Sequence, residues 1–397
     1  MAEFMTETAA RPPGARRTAD TARPGVPQPA GAPPPPRAAA CRDDPAAASG
    51  ALPAGGDDGH DAPAILDRAR RSVDPELRQA VASLPTAMRR IARHHFGWEH
   101  ADGSTAAGNA GKAIRPALVL AAAAALGGPP ARADAARAAA AVELVHNFTL
   151  LHDDVMDRDA ARRHRPTAWA LFGDADALLA GDAVQALALR TLAEDRHSAA
   201  RSAMARLTTC VIELCEGQRA DTALERRPLD EVTLAEVLAM AEAKTGALLG
   251  CACALGALYA GADAEKTEAL DAFGRQAGLA FQLIDDVIDI WGDPARTGKP
   301  ARADLVARKK SLPVVAALTS GAPAARELAE IYARPHTQGE EEHAALLVER
   351  AGGRDWAQSE AADRMAQAVQ ELSRAVPDPA AADELLTLAE FVTRRTA

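Results

Sequence analysis

Aromatic side chains are scarce in this chain of 397 residues, at 3 %. Strands of sandwiches and barrels draw on aromatic and β-branched residues in alternating runs, and this sequence has few of either, so an all-β fold is excluded. The five cysteines include no C-x-x-C pair, which excludes a zinc ribbon or a thioredoxin-type redox motif. No uninterrupted apolar stretch reaches the roughly 18 residues of a membrane span; the run Ala117 to Leu126 is too short. No apolar core of signal-peptide type follows the opening Met1-Ala2-Glu3-Phe4. The expectation is a soluble, cytoplasmic protein without stable membrane insertion, its thiols reduced and buried. Net charge is -10, which disfavours nucleic acid as a partner.

What is present divides in two. Residues 1–63 are rich in Pro, Ala, Gly and Arg, include the run Pro33-Pro34-Pro35-Pro36, and show no apolar periodicity. Such a segment cannot bury enough surface to offset its ordering entropy and is expected to be disordered. Residues 64–397 are dominated by Ala, Leu, Glu and Arg, the composition of one large all-α domain. Asp74-Pro75-Glu76 reads as a helix start, Gly127-Gly128-Pro129-Pro130 as a helix end, and Ser311-Leu312-Pro313 as a further start. Glu340-Glu341-Glu342 reads as a solvated helix face, and Cys251-Ala252-Cys253 as core.

Within this domain one pattern occurs twice, as Asp153-Asp154-Val155-Met156-Asp157 and Asp285-Asp286-Val287-Ile288-Asp289. Each follows an apolar stretch, so the carboxylates ride on buried elements and need counter-charges. On a helix the i and i+4 positions share a face, which sets Asp153 beside Asp157 and Asp285 beside Asp289. Two such faces turned toward each other make a set of hard oxygen ligands suited to Mg2+ holding a polyphosphate. The first motif is surrounded in sequence by Lys112, Arg115, Arg158, Arg162, Arg163 and Arg165, an unusual gathering of cations in an acidic protein. Guanidinium groups grip phosphate oxygens bidentately, so adjacent Arg162 and Arg163 suit two separate diphosphates.

From about residue 64 onward the chain resembles the trans-polyprenyl diphosphate synthase family. The matching landmarks run in order: Gly111-Lys112-x-x-Arg115-Pro116, His146, the first aspartate motif with Arg162-Arg163, Gly181-Asp182, Lys244-Thr245, Phe281-Gln282 with the second aspartate motif, and Gly298-Lys299-Pro300. The resemblance implies the isoprenoid synthase fold, an all-α bundle around a deep apolar cavity. It also implies head-to-tail condensation of isopentenyl diphosphate with an allylic diphosphate. Carried over by position, it assigns metal binding to Asp153, Asp157 and Asp285, with Asp154 and Asp289 in support, and three Mg2+ ions per site. Lys112, Arg115, His146 and Arg163 are then expected to hold isopentenyl diphosphate. Arg162, Lys244, Thr245, Gln282 and Lys299 are expected to hold the allylic diphosphate, with Arg162, Lys244 and Lys299 also serving its ionisation. A homodimer is expected on the same ground.

The family places a bulky side chain before the first motif as a cavity floor. Phe148, with small Thr149 after it, resembles short-chain enzymes making C20 products, with C15 next. One departure stands out: the usual Gly-Gly-Lys-Arg-Leu-Arg-Pro is here Ala110-Gly111-Lys112-Ala113-Ile114-Arg115-Pro116, which keeps both cations but loses a glycine and an arginine. Two rival readings are a terpene cyclase on the same fold and a noncatalytic subunit of a prenyl synthase. A cyclase has no need of a second diphosphate pocket, and a noncatalytic subunit has no need of intact aspartate motifs.

Overall fold

The computed structural model describes residues 61–106, 111–293 and 302–393. Of the sequence expectations, residues 1–60 of the segment 1–63 expected to be disordered, Cys41, and Lys299 with its Gly298-Lys299-Pro300 turn lie outside the described residues; Asp61, Ala62 and Pro63 instead cap and open the first helix, which corrects that boundary.

The first helix, α1 (Ala62–Ala82), is capped by Asp61, whose carboxylate accepts the Ala64 N–H at 2.9 Å. It runs straight through Pro75, so the helix start expected at Asp74-Pro75 is corrected. The reason is in the apolar spacing: Ile65, Ala69, Val73, Leu77 and Val81 keep one buried stripe across the proline. Asp74 pairs instead with Arg78, one turn on, at 2.6 Å. There follow α2 (Thr86–His95), α3 (Ile114–Asp134) and α4 (Ala136–Met156). The expected break at Gly127-Gly128 is present inside α3, where Gly128 adopts φ 69 and ψ -165 and interrupts the helical path.

A two-residue antiparallel pair, β1 (Ala161–Arg162) and β2 (Arg165–Pro166), comes next. Its two turn residues, Arg163 and His164, both have positive φ, 51 and 61, as a type I′ hairpin requires. The helical series resumes with α5 (Ala168–Phe172), α6 (Asp174–Ala193), α7 (Ala200–Arg226), α8 (Leu234–Ala241), α9 (Ala247–Tyr259) and α10 (Ala264–Trp291). It ends with α11 (Ala303–Val306), α12 (Leu312–Thr319), α13 (Pro323–Tyr332), α14 (Glu340–Arg350), α15 (Gly353–Ala375) and α16 (Pro379–Thr393). Between α8 and α9 the residues Glu242–Gly246 form a π turn, so the chain stays helical but gains a residue in that turn.

The two motif-bearing helices sit at the centre. α4 packs on α3, α6 and α9, while α10 packs on α9 and α15. Small residues allow this: Ala138, Ala139, Ala140 and Ala141 are all fully buried, where larger side chains would push the helices apart.

Two segments, Ile114–Asp134 and Leu234–Tyr259, are long and apolar enough to cross a membrane by length and composition. Both are partly buried against other helices of the bundle, and the first is interrupted at Gly128. Cys210, Cys251 and Cys253 are buried as expected, but Cys215 is exposed. The acidic triplet is also corrected: Glu340 pairs with Arg308 at 2.7 Å and with Arg334, and Glu341 accepts from His336 at 3.0 Å. These carboxylates open α14, where the positive end of the helix dipole favours them.

Candidate active site

Both aspartate motifs lie at the C-terminal ends of their helices, where the helix dipole is negative and carboxylates are least welcome. In each motif the first two aspartates part company. Asp153 and Asp285 line one cavity of about 450 Å³ between α4, α7, the π turn and α10. Asp154 and Asp286 turn into the protein, at 1 % and 7 % exposure. Asp154 takes a 2.7 Å ion pair from the Arg162 Nε. Asp286 accepts the Leu312 N–H at 3.0 Å and the Gln282 side-chain amide at 2.8 Å, tying α10 to the start of α12. Burial pushes both up, Asp154 to about 6 and Asp286 to about 7. Asp154, expected to support metal binding, is thus the partner that fixes Arg162.

Asp157 ends α4 as its C-cap. Burial, then the neighbouring charge of Asp153, pushes its carboxyl up to about 6, as the shared i, i+4 face implies. Asp289 lies half-buried on α10, and its carbonyl accepts the Arg302 N–H at 3.0 Å.

The π turn carries Lys244 and Thr245. The Lys244 ammonium lies 2.6 Å from Asp221 on α7 and 3.5 Å from Asp153, bridging the first motif to a neighbouring helix. Burial works against its charge, but Asp153 and Asp221 outweigh burial and hold the ammonium above its ordinary range. Thr245 donates to the Gln282 Oε1 at 2.8 Å, so these two expected ligands form one unit. α7 can approach this turn because residue 217 is glycine: a Cβ there would fall 2.6 Å from the Lys244 backbone nitrogen.

On the other flank Arg115 and His146 meet at 3.2 Å and line the same cavity. Burial, followed by the charges of Arg115, Arg163 and Arg162, holds His146 neutral, well below the usual histidine range. Lys112 lies over the Phe391 ring at 5.7 Å. Arg163 reaches back from the hairpin against Gly111. A Cβ on Gly111 would lie 2.6 Å from the Arg163 Nη2, and its φ of +87 disfavours any side chain. Gly111→Ala is therefore expected to displace Arg163 and weaken binding of the diphosphate assigned to it from the sequence by about tenfold, alongside a loss of roughly 1–2 kcal/mol in stability. Steady-state kinetics with each substrate varied in turn, together with thermal unfolding, would check both.

Arg162 is the expected residue that the fold moves to different company. Beside Arg163 and Arg165 it lines a second, smaller cavity with His94, His95 and Asn147, apart from Lys244, Thr245 and Gln282. Phe148, Leu150, Met156, Leu214 and Phe281 give the same cavity that holds Asp153 and Asp285 an apolar share of its wall, suited to an apolar chain. Phe148 is 6 % exposed and packs edge-on against His152 at 5.0 Å.

A model of the family described as polyprenyl synthetase matches residues 103–349. The chain belongs to the polyprenyl synthetase family. It is 49 % identical over 336 residues to a geranylgeranyl diphosphate synthase of Mycobacterium tuberculosis, covering 84 % of this chain and 93 % of that protein. It is 46 % identical over 339 residues to a (2E,6E)-farnesyl diphosphate synthase of the same species, with the same two coverages. A crystal structure of a polyprenyl synthetase from Streptomyces coelicolor superposes with a TM-score of 0.79 at 44 % identity, covering 84 % of this chain and 99 % of that one. A geranylgeranyl pyrophosphate synthase from Corynebacterium glutamicum, solved with calcium and isoprenyl diphosphate, superposes at 0.68 with 32 % identity, covering 84 % and 96 %. The enzyme is a prenyltransferase of the short-chain trans-prenyl diphosphate synthase type, on the all-α fold expected.

Seen as this synthase's site, the donor set fits a hard divalent cation. Among the described residues no three carboxylates, imidazoles or thiols converge closely enough to enclose a metal alone. The Asp153 and Asp285 carboxylates instead face a shared open space. One or two carboxylates with the remaining places left to phosphate oxygens is how Mg2+ is usually held beside a polyphosphate.

Sequence reasoning missed several charged groups at this site, among them Arg219, which lines the cavity and pairs with Glu216. Asp221 is buried against Lys244. Lys309, though largely buried, is kept charged by Asp304, Asp221, Asp286 and Asp157, which outweigh the burial. The signal was faint: Gln218 and Asp221 sit three residues apart on one helical face, and Lys309-Lys310 is a short basic pair. Its second member serves the fold, with the Lys310 Nζ donating to the Leu224 and Arg227 carbonyls at 2.6 Å and closing the end of α7.

Proposed function

We propose that the enzyme condenses isopentenyl diphosphate head to tail with an allylic diphosphate, giving an all-trans C20 product, with C15 as the next candidate. The observation that carries this reading is the lining of one cavity: carboxylates of both motifs, cations from separate elements (Arg115 and Lys244), and apolar side chains such as Phe148, Leu214 and Phe281. Two flanks of cations suit two diphosphates, which favours a synthase over a cyclase.

Bound Mg2+ would supply Lewis-acid stabilisation of the departing diphosphate, with Asp153, Asp157, Asp285 and Asp289 as its protein ligands and three ions as the expected complement. Lys244, with Thr245 and Gln282 beside it, is positioned to hold the allylic diphosphate, and its ammonium stays protonated beside two carboxylates as negative charge develops on the leaving group. Arg115, Arg163, Lys112 and His146 hold the isopentenyl diphosphate. As the allylic C–O bond breaks, its electron pair leaves with the diphosphate. The isopentenyl double bond then attacks the allylic cation to form the new C–C bond, and the proton lost passes to the released diphosphate. The apolar walls keep water from quenching the cation.

Chain length is proposed to be set at Phe148, whose ring lies in the cavity wall more than one helical turn below Asp153. Incubation with Mg2+, isopentenyl diphosphate and each C5, C10 and C15 allylic diphosphate tests the whole reading. C20 product is expected; no elongation from any primer would sink it, and a cyclic hydrocarbon from the allylic substrate alone would favour the cyclase. Phe148→Ala is expected to shift the product by at least one isoprene unit, with the chain lengths read by chromatography, whereas an unchanged distribution would place the floor elsewhere. The enzyme is further proposed to act in the cytoplasm as a homodimer. Exposed Leu179 and Ile212, on adjacent α6 and α7, offer apolar contacts, and sedimentation would report the state.

A further inference from the structure

Arg115 is half-buried, and among the described residues it forms no ion pair. Among the described residues its hydrogen-bond partner is the neutral His146, and its buried Nε has none. A guanidinium removed from water needs an opposite charge close by, and the leading one here is Glu143, one turn before His146 on α4. The same carboxylate is the leading opposite charge for Arg163, which arrives from the hairpin turn. Arg70 on α1 faces it as well, and donates to the Gly111 carbonyl at 2.9 Å, on the loop that carries Lys112. Glu143 is itself 7 % exposed and held by its own helix: the Asn147 amide donates to its Oε1 at 3.2 Å and to its carbonyl at 2.8 Å. One fixed carboxylate thus looks onto arginines from three elements, α1, α3 and the hairpin.

We propose that Glu143, steadied by Asn147, is a positioning residue for the isopentenyl diphosphate subsite, acting as the resident counter-ion that keeps Arg115 and Arg163 in place for the incoming diphosphate. This rests on the reading of those two arginines as diphosphate ligands.

The arrangement has a measurable signature. Burial pushes Glu143 up to about 7, with Arg115, Asn147, Arg163 and Arg70 pulling the other way. A diphosphate docked on the same arginines adds negative charge nearby, raises Glu143 further, and makes it take up a proton. Isopentenyl diphosphate binding to the whole wild-type protein, measured by calorimetry near about pH 7.5 in buffers of different ionisation heat, should show proton uptake that is absent in Glu143→Gln. In that variant the KM for isopentenyl diphosphate should rise by about tenfold or more while the KM for the allylic substrate stays within about twofold. Asn147→Ala, which frees the Glu143 side chain, should show a smaller rise of the same kind. Wild-type binding without proton uptake would overturn the proposal even if Glu143→Gln failed to fold. So would a folded Glu143→Gln with unchanged isopentenyl diphosphate KM. Were the wild type to bind no isopentenyl diphosphate at all, the reading of Arg115 and Arg163 would fall, and the role of Glu143 with it.

Discussion

Asp153→Asn is expected to lower kcat by about a thousandfold while leaving the fold intact. Asp153 faces the cavity and is not needed to neutralise its neighbour, because Lys244 keeps Asp221 at 2.6 Å. The loss therefore falls on the chemistry, where the negative oxygen is meant to hold a cation against the leaving group. Circular dichroism and thermal unfolding should match the wild type within a few degrees. The adjacent change Asp154→Asn should do the reverse, costing stability through Arg162 and sparing much of the turnover that remains. A kcat within tenfold of wild type for Asp153→Asn would show that the first motif is not where ionisation is assisted.

Lys244→Gln is expected to damage both rate and stability. The rate should fall by about a hundredfold, since the variant loses a cation proposed to face the developing charge. Stability should fall by roughly 1–3 kcal/mol, because the buried Asp221 is left without its ammonium partner. Single-turnover kinetics with saturating substrates and urea denaturation separate the two losses. A variant as stable as the wild type would mean that water or Lys309 replaces the lost partner for Asp221.

Much of this was legible in the sequence because helical composition and the two acidic motifs are dense signals. The faces of the motifs were not. Adjacent helical residues point about 100° apart, and only packing decides that Asp153 and Asp285 meet the cavity while Asp154 and Asp286 meet Arg162 and Leu312. The hairpin at 161–166 was missed because type I′ turns announce themselves with Asn or Gly, and here Arg163 and His164 take the positive φ values. Pro75 misled in the other direction: a proline after aspartate reads as a start, but the apolar stripe on either side carried the helix through it. Lys309 and Asp221 lie far apart along the chain and become one site only after folding.

The π turn at Glu242–Gly246 also makes the site sensitive to the number of residues rather than their kind. A turn with one residue too many shifts the phase of everything that follows, so α8 and α9 present their faces out of step. Removing a single residue there would restore an ordinary helix, yet it would rotate α9 by about 100° against α8. Either the Lys244 and Thr245 side chains would swing away from Asp153 and Gln282, or the buried face of α9 would have to leave α3 and α10. A library of substitutions across this turn would find tolerant positions; a library of deletions would find none.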